Sequence, residues 1–145
     1  MRLRRQIDFM SETESDTFII RSTATSSKLT ISDFTGECFT ATLISENLSA
    51  IVLVWPITDS HGFPNLLDRL ARYDKPWDGE ESWAGLEGDF KFSASCSSLG
   101  SVTFKINLRH FGSEGWTVDT ELRTEMGELQ GLASASRLFF GPSPY

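Results

Sequence analysis

A chain of 145 residues is one domain's worth, and at that size about 70% of the unfolded surface can be buried in a single core without staples. The formal net charge of −7 and the pI near 4.8 argue against nucleic acid, whose readers show a basic stripe, and suit solubility or a basic protein partner steered in by the field. Two cysteines build no disulfide framework, and no apolar run is long enough to offer a membrane span.

Met1, Arg2, Leu3, Arg4 and Arg5 imitate the start of a signal peptide, but no apolar stretch follows, only Ser11, Glu12, Thr13, Glu14, Ser15 and Asp16. Met10 offers a second start, so residues 1–9 read as an extension. Their loss takes the charge from −7 to −9, three Arg and one Asp being removed. Residues 1–15 are expected to be disordered, which leaves 16–141 as a single domain.

Short β-rich runs follow at 17–21 and 28–32, with Phe18, Ile20, Leu29 and Ile31 inward. Across 37–45, Phe39, Ala41 and Leu43 alternate with threonines, the period of a half-buried strand. Residues 50–55 are apolar at nearly every position and predict a buried central strand stopped by Pro56. Phe63, Leu66, Leu67 and Leu70 then fall at helical spacing behind Pro64, which suits a first turn. Lys75 and Pro76 close that helix of about three turns.

Residues 82–123 read as three antiparallel strands side by side. Pairing Cys96 with Val102 sets Phe92 opposite Ile106 and Phe90 opposite Leu108, across a turn in which Gly100 takes a positive φ. Pairing His110 with Trp116 sets Leu108 opposite Val118 and Phe104 opposite Leu122, with Trp116 inward. The same registers place Asp89 opposite Arg109 and Lys105 opposite Glu121 on the outer face, so that face reads as charge-paired, solvated scaffold. A last helix is expected over 125–140, with Leu129, Leu132, Ala133, Ser136, Phe139 and Phe140 on one face and Gly141-Pro142 as the stop. The fold class is therefore α+β, an antiparallel sheet of about six or seven strands with two helices packed on one face. Cys96 points inward and Cys38 outward, so both thiols are expected free, in a reducing, cytoplasmic compartment.

Chemistry-bearing motifs are few. There is no Gly-x-Ser-x-Gly elbow and no phosphate-cradling glycine loop. Two His and two Cys match no zinc spacing, and Asp74, Asp78, Glu80 and Glu81 lack the ligand ladder of a calcium loop. Glu125 and Glu128 suit a helix dipole better than acid–base work. No cofactor or metal and no catalytic residue is expected, and the balance leans away from an enzyme. The local oddity is residues 73–83, where Tyr73, Trp77 and Trp83 stand among Asp74, Asp78, Glu80 and Glu81. Aromatics and charge on a loop held by a rigid sheet suit protein contact. The binding candidates are Tyr73, Trp77, Asp78, Glu80 and Glu81, with Arg109 and His110 on a neighbouring rim.

From Trp77 onward the pattern resembles a family of small bacterial proteins known only as a domain of unknown function. The residues that carry it are Trp77-Asp78-Gly79-Glu80, Trp83 with Leu86-Glu87-Gly88, and Gly100-Ser101-Val102 with Leu108-Arg109. They continue as Trp116-Thr117-Val118, Gly127-Glu128-Leu129 and Phe139-Phe140, with a weaker likeness through 39–54. Cys96-Ser97-Ser98 departs from the more acidic turn of the relatives. The resemblance implies a recurrent α+β fold and no activity, cofactor or catalytic residue.

The reading that follows is a non-enzymatic cytoplasmic domain acting through protein contact, with a basic protein as partner. In size, charge and fold class it is similar to immunity proteins that block basic toxins. The alternative is a small-ligand binder or enzyme with a pocket between the sheet and the first helix. A homodimer through the sheet edge at 17–32 is a third option.

Overall fold

The computed structural model describes residues 16–55 and 61–142. The reading of residues 1–15 as a disordered extension and of Pro56 as a strand stop lies outside them. In chain order the elements are β1 (Thr17–Arg21), β2 (Lys28–Ser32), β3 (Phe39–Ser45), β4 (Leu48–Val54), α1 (Gly62–Ala71), β5 (Glu81–Ala84), β6 (Phe90–Cys96), β7 (Ser101–His110), β8 (Trp116–Glu125) and α2 (Leu129–Phe140).

The class is α+β with two helices, but the single sheet of six or seven strands does not form. Eight strands divide into two four-stranded antiparallel sheets, ordered β1-β2-β3-β4 and β5-β6-β7-β8. Each sheet is a meander in which every strand pairs with its sequence neighbour, and α1 intervenes between the two. Residues 81–84, expected only as a lead-in to the meander, pair with β6 as a fourth strand.

Within the second sheet the registers are those the alternation dictates. Cys96 pairs with Val102, Phe92 with Ile106 and Phe90 with Leu108, and His110 pairs with Trp116, Phe104 with Leu122 and Lys105 with Glu121. The β6–β7 turn is fixed locally. Ser97 Oγ accepts the N–H groups of Leu99 and Ser101 at 3.3 and 3.2 Å, and Gly100 holds φ at +87°, where a side chain would be strained.

The inward rows of both sheets and the apolar faces of both helices form one continuous core. Phe63 of α1 is its hub. The ring is fully buried and touches Phe18 and Phe39 of the first sheet, Trp83, Phe90 and Phe92 of the second, and Phe140 of α2. The helices pack on each other, α1 alongside β5 and α2 alongside β1. They roof a core shared by two sheets rather than one face of one sheet. On their solvent side Arg137 bonds Asp68 and Asn65, joining α2 to α1. The sheets also meet at two corners, where the Thr23 N–H donates to the Arg123 carbonyl at 2.8 Å and the Leu86 N–H to the Trp55 carbonyl at 3.3 Å.

Three further expectations are corrected. The run expected over 50–55 as a central strand lies, through Val54, in the edge strand of the first sheet, because the chain leaves for α1 instead of pairing onward; Ile51 is 59% exposed and Leu53 48%. β8 stays extended through Glu125, opposite Ser101, and a 3-10 turn over Met126–Glu128 precedes α2, which therefore starts at Leu129 rather than 125. Trp116, expected inward, is 37% exposed because the β7–β8 hairpin overshoots the core. Both cysteines are free. Among the described residues no helix is long and apolar enough to cross a membrane.

Candidate functional site

The aromatic, acidic segment 73–83 divides into a structural half and an exposed half. Trp77 is 6% exposed and belongs to the core, so its indole is a roof and not a contact surface. The Tyr73 ring stacks on it with centroids 4.7 Å apart, and the Tyr73 hydroxyl donates to Glu81 at 2.6 Å. That hydrogen bond raises the Tyr73 pKa above its ordinary value. Glu81 also takes the Arg69 Nε at 3.4 Å. Tyr73, Trp77 and Glu81 therefore fasten the segment to α1 and the core. Asp78 and Glu80 stay exposed, and Glu80 reaches the Lys105 Nζ at 3.2 Å. Lys105, paired in register with Glu121, forms its ion pair with the loop instead. Asp74, Asp78, Glu80 and Glu81 do not gather into a metal cluster.

Glu80 points the way to a hollow on the outer face of the second sheet, with a volume of about 640 Å³. Its lining is a grid set by register. One row across the four strands is Ser82, Ser93, Lys105 and Glu121, and the next is Ala84, Lys91, Asn107 and Asp119. The depression lies where the outward positions Ser82, Ala84 and Ser93 are small, and the longer side chains of Lys91, Lys105 and Glu121 stand around them. Asn107 Nδ2 donates to Asp119 Oδ1 at 2.7 Å. Around the hollow stand the carboxylates of Glu80, Asp119 and Glu121, the ammonium groups of Lys91 and Lys105, two hydroxyls and an amide. Phe63, Leu66, Leu67 and Leu70, on the core side of α1, are by contrast all buried, and the hollow lies on the opposite, outer face of the second sheet.

The rim candidates lie past the far end of this grid. Arg109 is the next outward position on β7 after Asn107, opposite Thr117, and its guanidinium lies over the Phe111 ring at 5.2 Å. His110 points to the other face and stacks on Trp116 with centroids 5.8 Å apart. The loop and the rim, read from the sequence as neighbours, thus flank opposite ends of the hollow.

Asp89 does not face Arg109 from the outer side. The Arg109 N–H donates to the Asp89 main-chain carbonyl at 2.9 Å, but the Asp89 side chain turns inward and is buried, its Oδ1 unpartnered. A Cβ on Gly85 would stand 2.8 Å from that oxygen, so only glycine leaves room for this turn. Burial pushes the Asp89 carboxyl above its ordinary 3.8, and backbone N–H groups, first that of Asp89 itself and then those of Phe90 and Trp55, offset only part of this. A carboxyl that holds its proton more tightly when folded stabilises the fold most at low pH, and that contribution is lost as pH rises through the raised value. Asp89→Asn should therefore raise the melting temperature more at neutral pH than below the carboxylate range. Equal shifts at both would contradict this reading.

From the sequence alone this outer face, with Lys91, Ser93, Lys105, Asn107, Asp119 and Glu121, reads as solvated scaffold; the signal for the hollow is the run of small outward residues Ser82, Ala84 and Ser93 beside longer ones. No curated protein matches the chain. A family model spans residues 19–143, almost the whole of both sheets and both helices, and the chain belongs to that family, described as a family of unknown function (DUF6228).

Proposed function

We propose that this chain is a non-enzymatic protein-binding domain that seats a basic segment of its partner in the hollow of the second sheet. The observation that carries the reading is the excess of carboxylates around a preformed depression, Glu80, Asp119 and Glu121 against Lys91 and Lys105, on a chain of net charge −7. Exposed Asp78 adds a fourth carboxylate at the loop end, and Arg109 with Phe111 closes the other. Carboxylates facing a cationic partner raise the association rate and fix orientation, while the small serines and Ala84 let a partner side chain approach the sheet backbone. The action is placed in a reducing compartment, the cytoplasm, which suits two free thiols. Immunity proteins that neutralise basic toxins are similar in kind, in size, charge and fold class, by analogy alone.

Capture from cells that express the chain natively should recover a basic protein. The Asp78→Lys, Glu80→Lys, Glu121→Lys triple variant should associate with it about tenfold more slowly and lose most of the salt dependence, with the melting temperature nearly unchanged. Unaltered association by the folded variant would exclude the hollow. A second reading rests on the volume, which falls in the range of small-ligand sites. It is favoured if a polar metabolite, rather than a protein, shifts the melting temperature of the wild type and not of the triple variant.

A further inference from the structure

Strand β4 is built unlike an edge. It contains no charged residue and no proline over Leu48–Val54, although it is last in its sheet and natural edges are usually blunted by one or the other. Its outward side chains Ile51 and Leu53 are exposed, and so are Trp55 just beyond it and Ile44 on the adjoining strand.

The backbone completes the picture. The Trp55 carbonyl accepts from the Leu86 N–H, away from β3. Residues two apart in a strand aim their N–H and C=O groups to the same side. Ser49, Ile51 and Leu53 therefore direct theirs to the same open edge, where no strand pairs with them among the described residues.

Charge identifies the occupant. The outward positions of the first sheet hold Thr17, Ile19 and Arg21, then Lys28, Thr30 and Ser32, then Thr40, Thr42 and Ile44, then Ser49, Ile51 and Leu53. None is a carboxylate, in a chain that has 20. Two such chains repel over most of their surface, but this face brings no acid against an acid. A basic partner finds nothing here to attract it.

We infer that β4 pairs antiparallel with β4 of a second copy across a twofold axis at Ile51, joining two four-stranded sheets into one of eight strands. Ile51 then faces its own copy and Ser49 faces Leu53, and each of these pairs exchanges both of its main-chain hydrogen bonds. The outward apolar side chains of both copies meet in a continuous stripe. Antiparallel pairing sets the Arg21–Lys28 row of one copy against the Thr17–Leu53 row of the other, so the cations lie apart. Isologous contacts of this kind are the commonest closed assembly. The dimer edge inferred here is the opposite edge of the same sheet from residues 17–32; beyond β1 the chain is already engaged, the Thr23 N–H with the Arg123 carbonyl.

Sedimentation velocity over a concentration series tests this with the full chain. The wild type should approach twice the 16.2 kDa of the chain. Ile51→Lys should raise the dimer dissociation constant at least tenfold while its circular dichroism stays native. Ser49→Pro, which removes one donor at the open edge and no side-chain packing, should do the same and covers the case in which Ile51→Lys fails to fold. Leu99→Lys, on the distant β6–β7 turn, should leave the dimer intact. A wild type that is monomeric at every concentration overturns the inference. So does a dimer unmoved by both β4 variants, or a β4 surface that crosslinks only to a different protein.

Discussion

Phe63→Ala is expected to remove about 3–5 kcal/mol of stability, a large share of the roughly 5–15 kcal/mol that holds a domain of this size together. The ring is fully buried and packs on residues from both sheets and from α2. No neighbouring side chain can fill the space without leaving its own contacts, so the cavity persists and its cost adds to the lost burial. Because one ring bridges both sheets, the loss should appear as a single cooperative transition moved to lower denaturant, with little change in slope. Two separate transitions in urea, one per sheet, would show that the core is not continuous.

Trp77→Ala should cost about 3 kcal/mol or more, again through loss of a large buried ring. The indole covers the core beneath the 73–83 segment, and Tyr73 is stacked on its outer side. Removing it strips Tyr73 of its platform and frees Glu81 from the Tyr73 hydroxyl. Asp78→Ala and Glu80→Ala, in the same segment, should move the melting temperature little, since the one is solvated and the other makes an exposed ion pair with Lys105. Thermal melts of the three variants test the division. Equal and small effects would return Trp77 to the surface role that its sequence context suggested.

Much of the architecture was legible because the sheet period is strict. Alternation of Phe90, Phe92 and Ala94 against Val102, Phe104, Ile106 and Leu108 leaves one register with apolar side chains on one face, and that register forms. Strand grouping was not legible. The apolar run at 50–55 reads the same for a central strand as for an edge whose outer face awaits a partner, since hydrophobicity does not record what covers a side chain. Asp89 misled for a related reason. Its register position is outward, but a glycine at 85 makes room for the carboxylate to turn in, and that depends on a neighbour four residues away.

The proposed site was half legible. Composition and rim position single out the exposed carboxylates Asp78 and Glu80 and the cation Arg109 as candidates. The hollow between them came from the shape of a sheet face, set by side-chain size on four strands at once, and no local motif encodes it.

Binding of a basic segment in the hollow is tested most directly by mapping the footprint by backbone amide NMR of the chain, free and bound to the captured basic protein. Shifts are expected to concentrate at Ser82, Lys91, Ser93, Lys105, Asn107, Asp119 and Glu121, extending to Glu80 at one end and Arg109 at the other. Shifts confined to the first sheet, with these outward residues unmoved, would contradict it.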